Sequence, residues 1–342
     1  MDNAPLHTGV ADGPEGGRAF WLRARDGVRL RAGLWQVAGA RGTVFVFPGR
    51  TEYVEKYGRA AADLAAAGLN TLTIDWRGQG LADRLIDDAM PGHVLHFSDY
   101  QQDVDALVES AAALNLPKPW YLLAHSMGGA IGLRALTRDM PVAACAFSGP
   151  MWGIKISTAL RPVAWSLSWS SRRVGLCHKY APGTTTGSYV LTEPFETNRL
   201  TGDRDMYDYM VRQVTEHPEL ALGGPSLRWL HEALKDTLEL SRRPSPDLPC
   251  FTFYGSDEDI VDVTRIETRL ERWPGIASHV VPGGRHEVLM ESRDMRTRLF
   301  GQIAGFFDDA GSGPSPRRVR SDADGPARSP SIPSHLQRQG IA

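Results

Sequence analysis

Residues 121–133, YLLAHSMGGAIGL, decide the fold, because they place a serine between a buried strand and a helix. The apolar run that opens this stretch is typical of a strand covered on both faces. The small residues Ala124, Gly128 and Gly129 permit a tight turn around Ser126 and hold its hydroxyl out at the carboxyl end of the strand. Ser126 is therefore a candidate nucleophile.

Strands and helices alternate on both sides of this stretch. Asp26-Gly27 lies between two segments with strand-like patterns and predicts a hairpin. Alternation with short links predicts a parallel, doubly wound sheet, and the fold class is therefore α/β. The predicted strands of this sheet are 42–49, 70–76, 119–125, 142–149, 249–255 and 278–284. The predicted helices are 54–67, 98–114, 127–138, 263–272 and 293–308.

The alternation stops at Pro150 and resumes near residue 246. The residues between carry several predicted helices rich in Trp, Leu and Arg, without a strand pattern. Both ends of the chain are polar, and the C-terminal one is rich in Pro, Ser and Arg, which is typical of disorder. The expected divisions are a flexible leader (1–17), a core (18–150 and 246–310), a helical insertion above the sheet (151–245) and a disordered tail (311–342).

The composition excludes several classes of protein. A formal net charge of −2 over 342 residues argues against a nucleic-acid-binding protein. The cysteines Cys145, Cys177 and Cys250 have no C-x-x-C spacing, so neither a disulfide framework nor a zinc site is expected. No G-x-G-x-x-G follows a strand and no cluster of metal ligands is evident, so we expect no cofactor and no metal.

The location predicted from the sequence is cytoplasmic. The first residues carry acids and glycines where a secretion signal would have a basic and then an apolar segment. No apolar run reaches the length of about 18 residues that a membrane-spanning helix needs. The sequence indicates no oligomeric state.

A serine nucleophile requires a base, which is oriented by a carboxylate. His286 is the predicted base, because it follows the last strand on a Gly-rich loop that can bring its ring over the edge of the sheet. The acid is expected in the loop after 249–255. The count from Gly255 favours Glu258, and Asp257 is the alternative.

Two backbone N–H groups are expected to bind the oxyanion. One belongs to Met127, directly after the nucleophile at a helix N-terminus. The other belongs to Arg50, in the loop after the strand 42–49. The side chains of Arg50 and Glu52 are expected to line the acyl or head-group site, unless they simply pair with each other or with nearby charges.

Several motifs together resemble the bacterial lysophospholipase branch of the α/β-hydrolases, which is related to monoacylglycerol lipases and serine aminopeptidase S33-like hydrolases. The resemblance is collinear from about 18 to 308. Its motifs are FPGRTEYVEKY (47–57), DWRGQGLADR (75–84), PGHVLHFSDYQQDV (91–104), LAHSMGGAI (123–131), GPMWGI (149–154), HPELALGGPSLRWL (217–230), SDEDIVD (256–262) and HEVLMES (286–292).

The resemblance implies an α/β-hydrolase fold in which 151–245 form a helical cap over the site. It favours Glu258, because a glutamate can be the acid in this branch. Trp152, together with Trp165, Trp169 and Trp229, is expected to contact lipid, although packing of the cap onto the sheet would explain these residues as well.

The implied function is hydrolysis of the ester of a single-acyl lipid. A lysophospholipid is the first choice of substrate, and a monoacylglycerol or a short-chain ester is the alternative. The alternative from a different functional class is a non-catalytic protein that uses the hydrolase fold only for binding. Because no apolar run is long enough to span a membrane, we expect any contact of the protein with a membrane to be peripheral, through the cap, at the inner face.

Overall fold

The strands and helices follow the predicted order in the computed structural model, which describes residues 1–157, 159–184 and 186–311. The strands are β1 (Asn3–Ala4), β2 (Arg18–Arg23), β3 (Arg29–Trp35), β4 (Thr43–Phe47), β5 (Asn70–Asp75), β6 (Trp120–His125), β7 (Ala144–Ser148), β8 (Cys250–Gly255) and β9 (Ala277–Val281). The α-helices are α1 (Thr8–Ala11), α2 (Gly58–Ala66), α3 (Tyr100–Ala113), α4 (Met127–Leu136), α5 (Arg161–Ser171), α6 (Tyr189–Thr192), α7 (Arg204–Glu216), α8 (Leu227–Arg242), α9 (Val263–Leu270) and α10 (Arg293–Gly311). Short 3₁₀ helices cover Val54–Tyr57, Phe97–Asp99, Phe195–Thr197, Pro218–Leu220 and Val288–Met290.

Within the described ranges the nine strands form one sheet in the order β1-β2-β3-β5-β4-β6-β7-β8-β9. The strands β1, β2 and β3 pair antiparallel at one edge, and β3 is antiparallel to β5. From β5 to β9 every pairing is parallel. The expected mostly parallel sheet of the α/β-hydrolase fold is therefore confirmed.

Helices cover both faces of the sheet, and the strands alternate their side chains between two cores. Along β4, Phe45 and Phe47 pack toward α3, α4, α8 and α9, whereas Val44 and Val46 pack toward α2 and α10. This follows from the two-residue period of a strand. A strand that is buried on both faces reads as a continuous apolar run, which is the pattern seen in the sequence.

Between β7 and β8 the chain leaves the sheet. Among the described residues of 151–245 it forms α5 to α8 and the intervening turns, and none of them adds a strand to the sheet. Helix α8 returns to the core, where Trp229, Ala233 and Leu240 pack in the same cluster as α4. Arg134 of α4 forms an ion pair with Asp236 of α8 (2.5 Å).

The N-terminal segment differs from the expected flexible leader. Asn3 pairs with Phe20 at the edge of the sheet, and the side chains of Val10 and Ala11 are buried. Tyr209 Oη of α7 donates a hydrogen bond to the carbonyl of Ala11 (2.6 Å). These partners lie far away in sequence, so the composition of 1–17 could not predict them. Of the tail expected at 311–342, all but Gly311 lies outside the described residues.

Candidate active site

Ser126 occupies a strained turn between β6 and α4. Its φ of 50° and ψ of −117° fall outside the regions that most residues with a side chain adopt. A Cβ on Gly128 would lie 2.2 Å from the carbonyl oxygen of Phe47, so only glycine lets α4 approach the end of β4 this closely. The turn holds the Ser126 side chain at the carboxyl edge of the sheet, and the residue is 9% exposed.

His286 lies between Ser126 and Glu258. Its Nε2 is 2.9 Å from Ser126 Oγ, and its Nδ1 is 2.7 Å from Glu258 Oε2. Because an ionised carboxylate can only accept, the proton of the neutral ring belongs on Nδ1, which leaves Nε2 free to accept from the Ser126 hydroxyl. A hydroxyl, an imidazole and a carboxylate connected in this way can carry out acyl transfer.

Glu258 is held in its ionised form. Burial alone would raise the pKa of Glu258, but the hydrogen bond with His286 and the attraction of that ring in its protonated form lower it below its ordinary value. Glu258 Oε1 also accepts from the backbone N–H groups of Ile260 (2.7 Å) and Val261 (3.1 Å). The alternative acid, Asp257, is exposed, and its carboxylate accepts from Ser256 Oγ (2.9 Å). The structure thus brings Glu258 to the imidazole and leaves Asp257 in solvent.

The loop after β4 faces the turn at Ser126. Gln79 braces this loop, because its Nε2 donates to the carbonyl of Gly49 (3.0 Å) and its Oε1 accepts from Thr51 N–H (3.2 Å). In the described part of the chain, no acceptor takes the backbone N–H of Arg50 or of Met127. Both groups therefore remain available to bind an oxyanion beside Ser126.

A buried ionic network lies beneath the site. Lys56 Nζ donates to Glu52 Oε1 (2.6 Å) and to Glu287 Oε1 (2.7 Å). Glu52 Oε2 accepts from Tyr57 Oη (2.5 Å) and from the backbone N–H of Gly49. Glu52 therefore pairs with Lys56 and not with Arg50. Through its hydrogen bond with Gly49 N–H, it also holds the loop after β4 in place.

His125 completes this network. Its Nδ1 is 3.0 Å from the carbonyl oxygen of Ser148, and its Nε2 lies 3.2 Å from Glu287 Oε2, which makes an ion pair when the ring is protonated. Burial alone would lower the pKa of His125, but the charges of Glu287 and Glu52 raise it above its ordinary value. Burial would raise the pKa of Glu287, whereas His125 and Lys56 hold it well below its ordinary range. Lys56 and His125 thus both lie close to the two carboxylates and favour their ionised forms.

A cavity of about 340 Å³ opens at Ser126 and His286. This volume lies within the range of about 300–1,000 Å³ that is usual for small-molecule sites. Its wall combines the loop after β4 with parts of the insertion and is mostly apolar. The apolar lining includes Met151, Ile154, Met210, Val214, Trp229 and Leu230.

Trp152 does not line this cavity, contrary to the expectation from the sequence. It is 3% exposed and lies in the main core, where its ring packs against Phe147 and Trp273. Its Nε1 donates to the carbonyl of Gly129 (3.2 Å). Trp152 therefore packs the start of the insertion onto α4, whereas Trp229 contacts the cavity.

Two groups of side chains in the described ranges bring three metal-ligand atoms within 4.8 Å of one another. In the group of Glu52, His125 and Glu287, Lys56 Nζ already lies between the carboxylates. In the group of His7, His217 and Glu219, the imidazoles are stacked 3.6 Å apart, so their lone pairs do not converge on one point.

The sequence analysis missed Lys56, His125, Glu287 and Gln79. The sequence did contain a signal for Lys56, His125 and Glu287, namely their spacing from predicted site residues. Lys56 is four residues after Glu52, and His125 and Glu287 adjoin Ser126 and His286 in the chain. Gln79 left no such signal, because its contact with the loop after β4 depends on how two loops pack.

The chain is similar in sequence to known proteins. A sequence profile described as "Serine aminopeptidase, S33" matches residues 38–293. Lysophospholipase L2 of Escherichia coli strain K12 is 34% identical over 278 residues, which cover 78% of this chain and 80% of that protein. The monoacylglycerol lipase of Mycolicibacterium smegmatis is 24% identical over 271 residues, which cover 78% of this chain and 88% of that protein.

Solved structures share the fold. A soluble variant of the monoglyceride lipase of Saccharomyces cerevisiae, bound to a substrate analogue, superposes with a TM-score of 0.67 at 19% sequence identity. The match covers 85% of this chain and 95% of that chain.

Proposed function

The chain belongs to the serine aminopeptidase S33 family of α/β-hydrolases, in its lysophospholipase and monoacylglycerol lipase branch, and on this basis we propose that it hydrolyses lysophospholipids. It is a carboxylic ester hydrolase of the lysophospholipase-like kind. The observation that carries the assignment of its site is the hydrogen-bonded series Ser126–His286–Glu258 at the wall of an apolar cavity.

In the proposed mechanism Ser126 Oγ attacks the ester carbonyl while His286 Nε2 takes its proton. Glu258 stabilises the resulting imidazolium through Nδ1–H, and the N–H groups of Arg50 and Met127 bind the oxyanion. His286 then protonates the leaving glycerol oxygen. Water, deprotonated by His286, attacks the acyl-enzyme, releases the fatty acid and restores Ser126.

Turnover of 1-oleoyl lysophosphatidylcholine by the purified protein tests this proposal. We expect Ser126→Ala to lower kcat by at least about 10⁴-fold, because members of a catalytic triad act as a unit. Ser98→Ala, at an exposed serine, is the matched control and should retain activity. Wild-type turnover in the Ser126→Ala protein would contradict the assignment of the nucleophile.

The cavity would also admit a monoacylglycerol, and the relative from Mycolicibacterium smegmatis is named for that substrate. Hydrolysis of 1-oleoylglycerol, measured beside the lysophospholipid with the same acyl chain, separates the two. A kcat/KM that is higher for the neutral lipid would favour the second function.

We further propose that residues 151–245 act as a cap that touches a membrane surface through α5. Supporting this are the exposed apolar side chains around α5, here called the cap patch: Leu160, Val163, Leu167 and Trp169. Residues 155–192 contain no Asp or Glu, whereas they include Lys155, Arg161, Arg172, Arg173 and Lys179. Lys155, Arg161 and Arg172 have acidic partners within the protein, whereas Arg173 lies over the ring of Trp169. An apolar patch with a cation beside it suits an anionic lipid surface.

None of the helices in the described ranges combines the length and apolar composition that a membrane span requires. Flotation with vesicles tests the proposed peripheral contact. We expect binding to vesicles containing phosphatidylglycerol to exceed binding to phosphatidylcholine alone, and to weaken with salt. A Leu167→Ser/Trp169→Ala protein should lose this binding, whereas Val280→Ser, at an exposed position of β9, should keep it. Equal flotation of all three proteins would contradict the role of the cap patch.

A further inference from the structure

The guanidinium of Arg50 lines the cavity without an acidic partner. Nη1 donates to the carbonyl of Gly223 (2.8 Å), and Cζ lies 5.8 Å from the centre of the Trp229 ring. Among the described residues, no carboxylate forms an ion pair with it. The other charged groups of the cavity wall differ, because Glu52 and Glu287 both form ion pairs with Lys56 and both lie close to His125.

A charge in this position is unfavourable in the free protein. Burial lowers the pKa of Arg50 to about 10, so the side chain remains protonated at neutral pH. Transferring a cation from water into a mostly apolar site costs free energy unless an anion or several acceptors compensate. One carbonyl and one aromatic ring satisfy only part of the five N–H donors of a guanidinium. Most of its capacity to bind an anion is therefore unused.

The position of Arg50 suits one particular anion. Arg50 has a backbone N–H without an acceptor, and its side chain, with bonds of about 1.5 Å, can place the guanidinium about 6 Å from that backbone. In a 1-acyl glycerophospholipid, the glycerol likewise separates the ester carbonyl from the phosphorus by roughly 6 Å. One residue can thus contact the reacting carbonyl with its backbone and the phosphate with its side chain.

We propose that the Arg50 guanidinium binds the phosphodiester of the substrate and so makes the enzyme prefer lysophospholipids to neutral monoacylglycerols. This inference rests on the proposed function. Two N–H groups of an arginine match two phosphate oxygens, which makes the contact both strong and directional. A monoacylglycerol offers a hydroxyl at that place and leaves the half-buried cation without an anion.

The test is the ratio of kcat/KM for 1-oleoyl lysophosphatidylcholine to that for 1-oleoylglycerol. We expect Arg50→Gln to lower this ratio by about 10- to 100-fold, which is the size of a lost charge-assisted hydrogen bond. Arg50→Lys keeps the charge but not the paired donors, so its ratio should lie between those of the other two proteins. Arg212→Gln, which removes a cation from the half-exposed surface of α7, should leave the ratio unchanged.

Competition by sn-glycero-3-phosphocholine gives a second readout. It carries the phosphodiester without the acyl chain, and its inhibition constant should rise in Arg50→Gln but not in Arg212→Gln. If both substrates lose activity in parallel and inhibition is unchanged, Arg50 only holds the insertion through Gly223 and the inference is wrong. A wild-type protein that hydrolyses neither lipid would instead refute the proposed function, and this inference with it.

Discussion

At the scale of single residues, the choice of acid illustrates what burial does to a carboxylate. Glu258 and Asp257 are neighbours in the chain, but only Glu258 is buried against the imidazole and accepts backbone N–H groups. Such hydrogen bonds favour the ionised form and offset the cost of desolvation. Asp257 remains in solvent, where it can neither orient His286 nor stabilise its charge.

The corresponding prediction compares Glu258→Gln with Asp257→Asn. An amide at 258 can hold the wrong tautomer of His286 and cannot stabilise the imidazolium, so kcat should fall by about 10³- to 10⁴-fold. Asp257→Asn should stay within about twofold of the wild-type kcat. Steady-state hydrolysis of a short p-nitrophenyl ester measures both, and equal losses in the two variants would argue against this assignment.

At the scale of elements, the unit of β6, the turn and α4 needs the loop after β4 in close contact. Gly128 is the point of closest approach, since a Cβ there would meet the carbonyl oxygens of Phe47 (2.2 Å) and Pro48 (2.6 Å). Backbone atoms cannot yield as a flexible side chain can, so the helix itself would have to move.

Gly128→Ala should therefore reduce both stability and activity. We expect a loss of about 2–3 kcal/mol in the free energy of unfolding, as is typical of overpacking, and a fall in kcat because Met127 N–H is displaced. Gly301→Ala in α10 is the matched control, because a Cβ there meets nothing within 4 Å. It should stabilise the protein by about 0.5–1 kcal/mol. Urea unfolding measures both changes, and an unaltered Gly128→Ala protein would disprove the role of this contact.

At the scale of the whole molecule, the ionic network joins segments that are far apart in the chain. Glu52 follows β4, His125 ends β6 and Glu287 follows β9. All three lie at the carboxyl edge of the sheet, where parallel strands end together. Lys56 binds both carboxylates, so the network connects the loop of Arg50 with the loop of His286.

The network predicts a dependence of stability on pH. Because the pKa of His125 in the folded protein lies above the ordinary value of 6.5, the folded state retains a proton that the unfolded chain releases. The stabilisation is full below pH 6.5 and is lost as the pH rises through the folded value. We therefore expect His125→Gln to cost about 3 kcal/mol at pH 6, and less as the pH increases.

His93→Gln is the matched comparison with the opposite sign. Burial, Arg228 and His178 lower the pKa of His93 to about 4, so its contribution to stability is present above pH 6.5 and is lost as the pH falls toward 4. Urea unfolding from pH 5 to 9 should show the effect of His125→Gln shrinking and that of His93→Gln growing. Parallel trends in the two variants would contradict the assigned charge states.

Most of the fold could be predicted from the sequence, because its signals are local. The two-residue period of a strand, the small residues around Ser126 and the Asp-Gly hairpin each act over a few residues. His286 could be placed as well, since it follows the last strand of the alternation. The arrangement of the helices within 151–245 could not be predicted from such local signals. The expectation for Trp152 was wrong, because no local feature of the sequence distinguishes a core tryptophan from one that lines a cavity.

The site around Ser126 shows both what the sequence determines and what depends on the tertiary structure. By itself, the sequence determined the parallel sheet, the turn that presents this hydroxyl and a short choice of partners for it. The sequence favoured Glu258 over Asp257, but only the tertiary structure brought Glu258 to the imidazole, paired Glu52 with Lys56, left Arg50 without an acid and joined Ala11 to α7. The physical reason is that these contacts join segments up to about 200 residues apart, and burial makes each of them favourable only after the chain has folded.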